Sequence, residues 1–212
     1  MPKKESLDRD YYFGERAEFY AKSKWMARNQ IKSTRRALEL LENEKIGGII
    51  AMEPHNMLIL DIGCGSGFST QMIEMNGFQT IGIDNSFDML EQNRKTSLPI
   101  SRNVVCGIIE KLPFRNNLFD AMISISAFNF ILEHVSLHNK KDLLKLVAIQ
   151  ISNLSKDHGR VVIEFYPKKE EIPLYMEAFK QFFEGGLVID NPNQRKEQKF
   201  LILKIKKNNE IF

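Results

Sequence analysis

Short, wholly apolar runs alternate with amphipathic stretches along the chain, and that alternation predicts a βαβ architecture. Between about Glu15 and Lys45, Ile31, Thr34, Leu38 and Leu41 recur at intervals of three and four, which predicts one long helix ending before Gly47-Gly48. This helix should cover the N-terminal side of the fold. Met57-Leu58-Ile59-Leu60-Asp61 has the unbroken apolar character of a strand buried on both faces, and the glycine turn after it leads into a helix through about Asn76. Further strands are predicted at Thr80 to Asp84, Asn103 to Cys106, Phe119 to Ile125 and Arg160 to Tyr166, with helices between most of them. The last two β-type runs, Gly186 to Asp190 and Lys199 to Ile205, flank a polar Asn-Pro-Asn-Gln loop and predict an antiparallel hairpin. The whole is an α/β chain, read as one domain over 1–212: residues 1–50 form a helical cover that could also bind substrate, and 57–212 form the core.

Composition narrows this picture without changing it. A chain of 212 residues, 43% of them hydrophobic, can bury a core without disulfides or structural metals. The net charge is only +3, so any nucleic-acid footprint must be a local cluster. One such cluster exists: Lys22, Lys24, Arg28, Lys32, Arg35 and Arg36 fall in a stretch with no acidic residue, beside Trp25. It reads equally as a phosphate-binding patch or as the solvated face of a helix. Cys64 and Cys106 lack zinc-site spacing and are too few for a disulfide framework, and His134 and His138 read as ordinary polar residues, so no metal is expected. The polar N-terminus and the absence of a run of about 20 apolar residues predict a soluble, intracellular protein.

The chemistry-bearing segment is Leu60-Asp61-Ile62-Gly63-Cys64-Gly65-Ser66-Gly67, where strand end, tight turn and helix start follow one another. Its spacing is G-x-G-x-G. A dinucleotide-binding turn needs G-x-G-x-x-G, and Phe68 stands in place of the last glycine, which disfavours a pyrophosphate ligand. Asp61 places a carboxylate beside the turn, which suits the ammonium of a cationic cofactor and would repel a diphosphate. In Ile81-Gly82-Ile83-Asp84-Asn85-Ser86, Asp84 ends the next strand and can accept from both hydroxyls of a ribose. A third run, Gly107-Ile108-Ile109-Glu110-Lys111-Leu112-Pro113-Phe114, is placed to border an adenine ring, with Ile108 able to pack against it but unable to accept from its amino group.

With these residues the chain resembles the small-subunit ribosomal RNA guanine-N7 methyltransferases, within the class I S-adenosylmethionine-dependent methyltransferases, and in particular their short, archaeal-like form. The resemblance runs through Tyr20, Arg36 to Leu41, Leu60 to Gly67, Phe119-Asp120 and Ile123 to Ala127. Its discriminating matches are Phe165-Tyr166-Pro167-Lys168 and Gly185 to Pro192. It implies a Rossmann-like, mainly parallel seven-stranded sheet with a C-terminal antiparallel hairpin and helices on both faces, S-adenosylmethionine as cofactor and ribosomal RNA as substrate. Cofactor-binding residues would be Asp61, Gly63, Gly65, Gly67, Asp84, Asn85, Ile108, Ile109 and Ser124. The base would meet Asn129, Phe130, Tyr166, Pro167 and Lys168, with no catalytic base assigned, because guanine N7 carries a free lone pair. The sequence departs from the family at Asn129-Phe130, where glutamine and tryptophan are usual, and at Glu164, where glutamine is common. The resemblance also implies a small zinc-binding activator subunit that extends the sheet beside Asn103 to Cys106, no membrane association, and a cytoplasmic location, or a nuclear one in a eukaryote. Two other functions stay open on the residues alone: a small-molecule methyltransferase on the same fold, and a non-catalytic ribosome-assembly factor.

Overall fold

The computed structural model of the chain describes residues 12–42, 53–96, 103–132 and 135–206. Seven strands, β1 (Leu58–Ile62), β2 (Gln79–Asp84), β3 (Val104–Cys106), β4 (Phe119–Ile125), β5 (Ser155–Glu164), β6 (Phe183–Asp190) and β7 (Gln198–Ile205), form one sheet in the order β3-β2-β1-β4-β5-β7-β6. Strands β1 to β5 are mutually parallel. Strand β7 runs antiparallel to both of its neighbours, β5 and β6. Every strand expected from the apolar runs is present, and β3 lies at the free edge.

Besides shifts of one to three residues at other ends, such as β6 starting at Phe183 rather than Gly186, two elements differ from expectation. Strand β5 begins at Ser155 and ends at Glu164 rather than running on to Tyr166. The Tyr166 N–H turns from the ladder to the side-chain oxygen of Asn129, at 2.7 Å. The single long N-terminal helix is two: α1 (Glu15–Lys22) and α2 (Lys24–Leu41). Ser23 between them has extended backbone, and its hydroxyl accepts the Met26 N–H at 3.3 Å. A serine that can satisfy a free N–H of a new first turn starts a helix as readily as it continues one, and the 3.6-residue pattern carries across such a break unseen. The end of the expected helix beyond Glu42, with Gly47-Gly48, lies outside the described residues.

The remaining helices are α3 (Phe68–Met75), α4 (Phe87–Thr96), α5 (Phe128–Ile131), α6 (Leu137–Leu154) and α7 (Ile172–Phe179). Two apolar layers sandwich the sheet. On one side Ala37, Leu38, Leu40 and Leu41 of α2 and Ile73 of α3 pack against Ile59, Ile123, Val162 and Phe200. Each of those α2 leucines, almost wholly buried, contributes about 2 kcal/mol through apolar area removed from water. On the other side Leu144, Val147 and Ile151 of α6 and Tyr175 and Phe179 of α7 meet Met122, Val161, Ile163 and Leu203. Between β1 and β4 the crossovers change direction, and the carboxyl ends of the strands part there into a crevice, the usual ligand position in such sheets. No described helix is long and apolar enough to cross a membrane.

Candidate cofactor and substrate cavity

That crevice opens into a cavity of about 870 Å³. Its first wall is the turn after β1. Gly63, Gly65 and Gly67 have φ of +74°, +50° and +89°, the left-handed region that side chains disfavour. A Cβ at Gly63 would also lie 2.2 Å from the Cβ of Ala127, so this glycine lets the first turn pass against the end of β4. The turn is held by Asp84, which stands half-buried at the end of β2. One of its oxygens accepts the Gly65 N–H and the other the Ser86 N–H, both at 2.9 Å. Desolvation raises its pKa above the ordinary carboxylate value, against those two hydrogen bonds. Asp84 faces the cavity with lone pairs to spare, next to Asn85 and Met89.

Of the cofactor residues expected from sequence, Gly63, Gly65, Asp84, Asn85, Ile108 and Ile109 are brought together on this wall. Asp61, Gly67 and Ser124 do not line it. Asp61 is fully buried, and its Oδ2 takes the hydroxyls of Ser69 and Thr70, at 2.6 and 2.7 Å, at the start of α3. Its Oδ1 has no hydrogen-bond partner among the described residues. Burial lifts its pKa to about 6, with the hydroxyl donors opposing and the nearby Asp84 charge adding. Asp61 thus stands beneath the turn, behind the cavity lining. Gly67 caps α3, with Asn93 where a Cβ would go, and Ser124 donates to the Ile62 carbonyl at 2.9 Å, tying β4 to β1.

The opposite wall holds Asn129, Phe130 and Tyr166 of the expected substrate residues. Pro167 and Lys168 stand outside, because the chain leaves the rim after Tyr166 and the Lys168 N–H turns to Glu171 at 2.9 Å. Phe128 is a core residue, 1% exposed. An aromatic cover, which sequence reasoning missed, closes the top: Tyr12 packs edge-on to Tyr20 at 5.0 Å and to Phe130 at 5.8 Å, and Tyr20 lies 6.1 Å from Phe68. Burial, with Tyr12 and the cavity carboxylates nearby, pushes the Tyr20 hydroxyl above its ordinary pKa, so it stays protonated. Also missed were Ser33, Ser126 and Arg195 to Gln198; Glu164, noted in the sequence as a departure from the family, lines the cavity with them. The non-adjacent Ser33 and Glu164 leave no local signal, since only the pairing of β4 with β5 and the packing of α2 bring them together.

The six basic residues of 22–36 divide in two. Arg36 makes a forked pair with Asp190, at 2.7 and 3.1 Å, and bonds Glu39, while Lys22 pairs with Glu18. Lys24, Arg28, Lys32 and Arg35 are exposed, make no ion pair among the described residues, and repeat every three or four positions, which puts them in one stripe along α2. The stripe reaches the cavity: Lys32 and the two-thirds-exposed Trp25 line it, as do the exposed Arg195 and Lys196.

Residues 60–163 match the methyltransferase-domain family. The chain is 33% identical over 177 residues to the 18S rRNA (guanine-N(7))-methyltransferase bud23 of Schizosaccharomyces pombe, covering 82% of this chain and 62% of that protein. It is 31% identical over 209 residues to a Dictyostelium discoideum protein named "Probable 18S rRNA (guanine-N(7))-methyltransferase", covering 95% and 68%. It thus spans about two thirds of the length of these relatives. Among solved structures, the methyltransferase in complex with the Haloferax volcanii Trm112 methyltransferase activator superposes with a TM-score of 0.62, at 15% identity, over 89% of this chain and 96% of that one. A glycine turn and acid pair at the switch point of a seven-stranded sheet, with sequence likeness running nearly end to end, place the chain in the family of 18S rRNA (guanine-N(7))-methyltransferases.

Proposed function

We propose that the protein methylates N7 of a guanine in small-subunit ribosomal RNA, using S-adenosylmethionine. The observation that carries this reading is one cavity with two different walls, a glycine turn with Asp84 on one side and Asn129, Phe130 and Tyr166 on the other, opening onto an unpaired basic stripe. The residues present fit the cofactor. Asp84 offers lone pairs to a ribose, Ile108 and Ile109 an apolar face to an adenine, and the unpartnered Oδ1 of Asp61 leaves negative charge beneath the turn that favours a cation. When bound, this cofactor supplies an electrophilic methyl group on a positively charged sulfur.

The chain's own part is to orient the acceptor and to exclude water. Guanine N7 has an in-plane lone pair, so no residue need remove a proton. Alignment of the acceptor accounts for up to about 7–11 kcal/mol in well-oriented model reactions. The base must be extruded into the cavity. Tyr166 and Phe130 offer rings against which it stacks, and the Tyr12, Tyr20 and Phe68 cover shuts solvent out above. Outside, Lys24, Arg28, Lys32 and Arg35 hold the flanking phosphates.

The reading extends to a partner. Strand β3 is a three-residue free edge that pairs only with β2, and its exposed side invites strand addition by an activator subunit of the Trm112 kind. Ribosomal RNA as substrate goes with a nuclear or cytoplasmic place of work. Mapping 7-methylguanosine in small-subunit rRNA from cells with and without the protein tests the proposal; an unchanged methylation map would overturn it.

A further inference from the structure

Glu164 ends β5 on the cavity floor and is 1% exposed. Three hydroxyls surround it. Ser126 Oγ donates to Oε2 at 2.7 Å, Tyr166 Oη to Oε1 at 2.6 Å, and Ser33 Oγ to Oε1 at 3.3 Å, with Gln198 Nε2 donating in turn to Ser33 at 2.9 Å. Among the described residues no lysine, arginine or histidine pairs with it. A desolvated carboxylate held only by neutral donors is expensive to keep. The fold goes further still to keep it. Ser126 adopts φ +62°, a left-handed conformation uncommon for a side-chain-bearing residue, and in that conformation its N–H bonds the Glu164 carbonyl at 2.9 Å while its hydroxyl bonds the carboxylate.

Two consequences follow from the chemistry. An ionised carboxylate only accepts, so each of these hydroxyls has turned its proton to Glu164 and can offer a ligand nothing but lone pairs. The floor is therefore a surface of acceptors around a fixed negative charge, suited to positive charge and hostile to an anion. Moreover, Asp84 at the end of β2 and Glu164 at the end of β5 are separated by three strand spacings, about 14 Å. With Asp84 assigned to the ribose end of the cofactor, Glu164 is left over at the acceptor end.

We propose that Glu164, fixed by Ser126, Tyr166 and Ser33, stabilises the purine ring as it becomes cationic. The inference rests on the guanine-N7 reading above. In that transfer the N7 lone pair forms the new N–C bond, the S–C bond breaks with its electron pair left on sulfur, and no proton moves. Positive charge thus passes from sulfur to the ring, and a preorganised carboxylate beside the ring favours the transition state and product over the neutral guanine.

The test is Glu164→Gln in the full chain, which keeps shape and removes the charge, one acceptor oxygen becoming an NH2 group beside hydroxyls that can turn to accept from it. With S-adenosylmethionine affinity unchanged and the variant shown to be folded by a cooperative thermal transition, kcat should fall by about tenfold or more while KM for RNA holds. In mildly acidic buffer, where its ring is cationic, 7-methylguanosine should bind the variant more weakly by a similar factor, and guanosine should bind equally to both proteins. Ser126→Gly, which retains the left-handed backbone and removes one donor, should shift both readouts in the same direction by less. An unchanged kcat, or equal losses for the two nucleosides, would overturn the proposal. Should the wild-type protein leave rRNA guanine N7 unmethylated yet still prefer 7-methylguanosine through Glu164, the cation site stands and the substrate reading fails.

Discussion

Asp61 has one oxygen saturated by Ser69 and Thr70 and the other bare, in a site with no water access. With a folded pKa of about 6 against an ordinary 3.8, the native state binds its proton more tightly than the unfolded chain does. Stability from this group is thus full below the ordinary value and is lost as pH rises through the folded one, at a cost of about 3 kcal/mol by neutrality. Asp61→Asn should accordingly raise the unfolding free energy of the ligand-free protein near pH 7 by up to that amount, and the advantage should vanish near pH 4, as read by urea titration. A variant less stable than wild type at neutral pH would contradict this account. Asp84 behaves differently, since both its oxygens anchor backbone N–H groups beside a ligand surface. Asp84→Ala should weaken binding of S-adenosylmethionine and of its demethylated product by roughly ten- to a hundredfold in calorimetry, the loss of a charge-assisted hydrogen bond. Asp84 was legible in the sequence because a fixed number of residues separates it from the glycine turn. Ser126 was not, and Glu164 only as a departure from the family's usual glutamine, because their grouping comes from which strand ends lie side by side.

Strands were legible because short apolar runs leave few alternatives, whereas the break at Ser23 and the end of β5 depend on individual hydrogen bonds. Sequence also could not divide the basic residues of α2, since pairing of Arg36 with Asp190 joins positions 154 apart. That division has measurable content. Neutralising Arg28 and Lys32 to Gln should flatten the dependence of log affinity for RNA on log salt by nearly one unit per residue and leave stability alone. Arg36→Ala should do the reverse, leaving the slope and lowering stability by about 1 kcal/mol, as for a partly exposed ion pair. Identical slopes in all three proteins would make the stripe an ordinary solvated face. Strand β3 carries a further lesson about side-chain direction. Val105 packs against the core of its own sheet, so a lysine there would damage the fold, whereas Val104 is not part of that packing. Val104→Lys should therefore abolish a co-purifying activator complex on gel filtration while the isolated chain keeps its thermal midpoint; a complex that survives would move the interface elsewhere.

Across the whole molecule, the same seven-stranded sheet builds the core, opens the crevice and presents the β3 edge, so the proposed cofactor cavity and the proposed partner edge belong to one sheet. Its strand order also has a consequence for how the protein is made. Strand β7 is the last in chain order but sits between β5 and β6, and its Phe200, Leu201, Ile202 and Leu203 fill both apolar layers. On the ribosome, the partners of these side chains on β5 emerge first and wait. At ordinary elongation rates the roughly forty residues between the end of β5 and the end of β7 take about 2–8 s to synthesise. Through that interval Val161, Val162 and Ile163 present an open strand edge to solvent, and the cavity lacks the glutamine that braces Ser33. Until β7 docks, that edge is open to pairing with other chains, so vulnerability to aggregation is concentrated in the interval between the synthesis of β5 and that of β7.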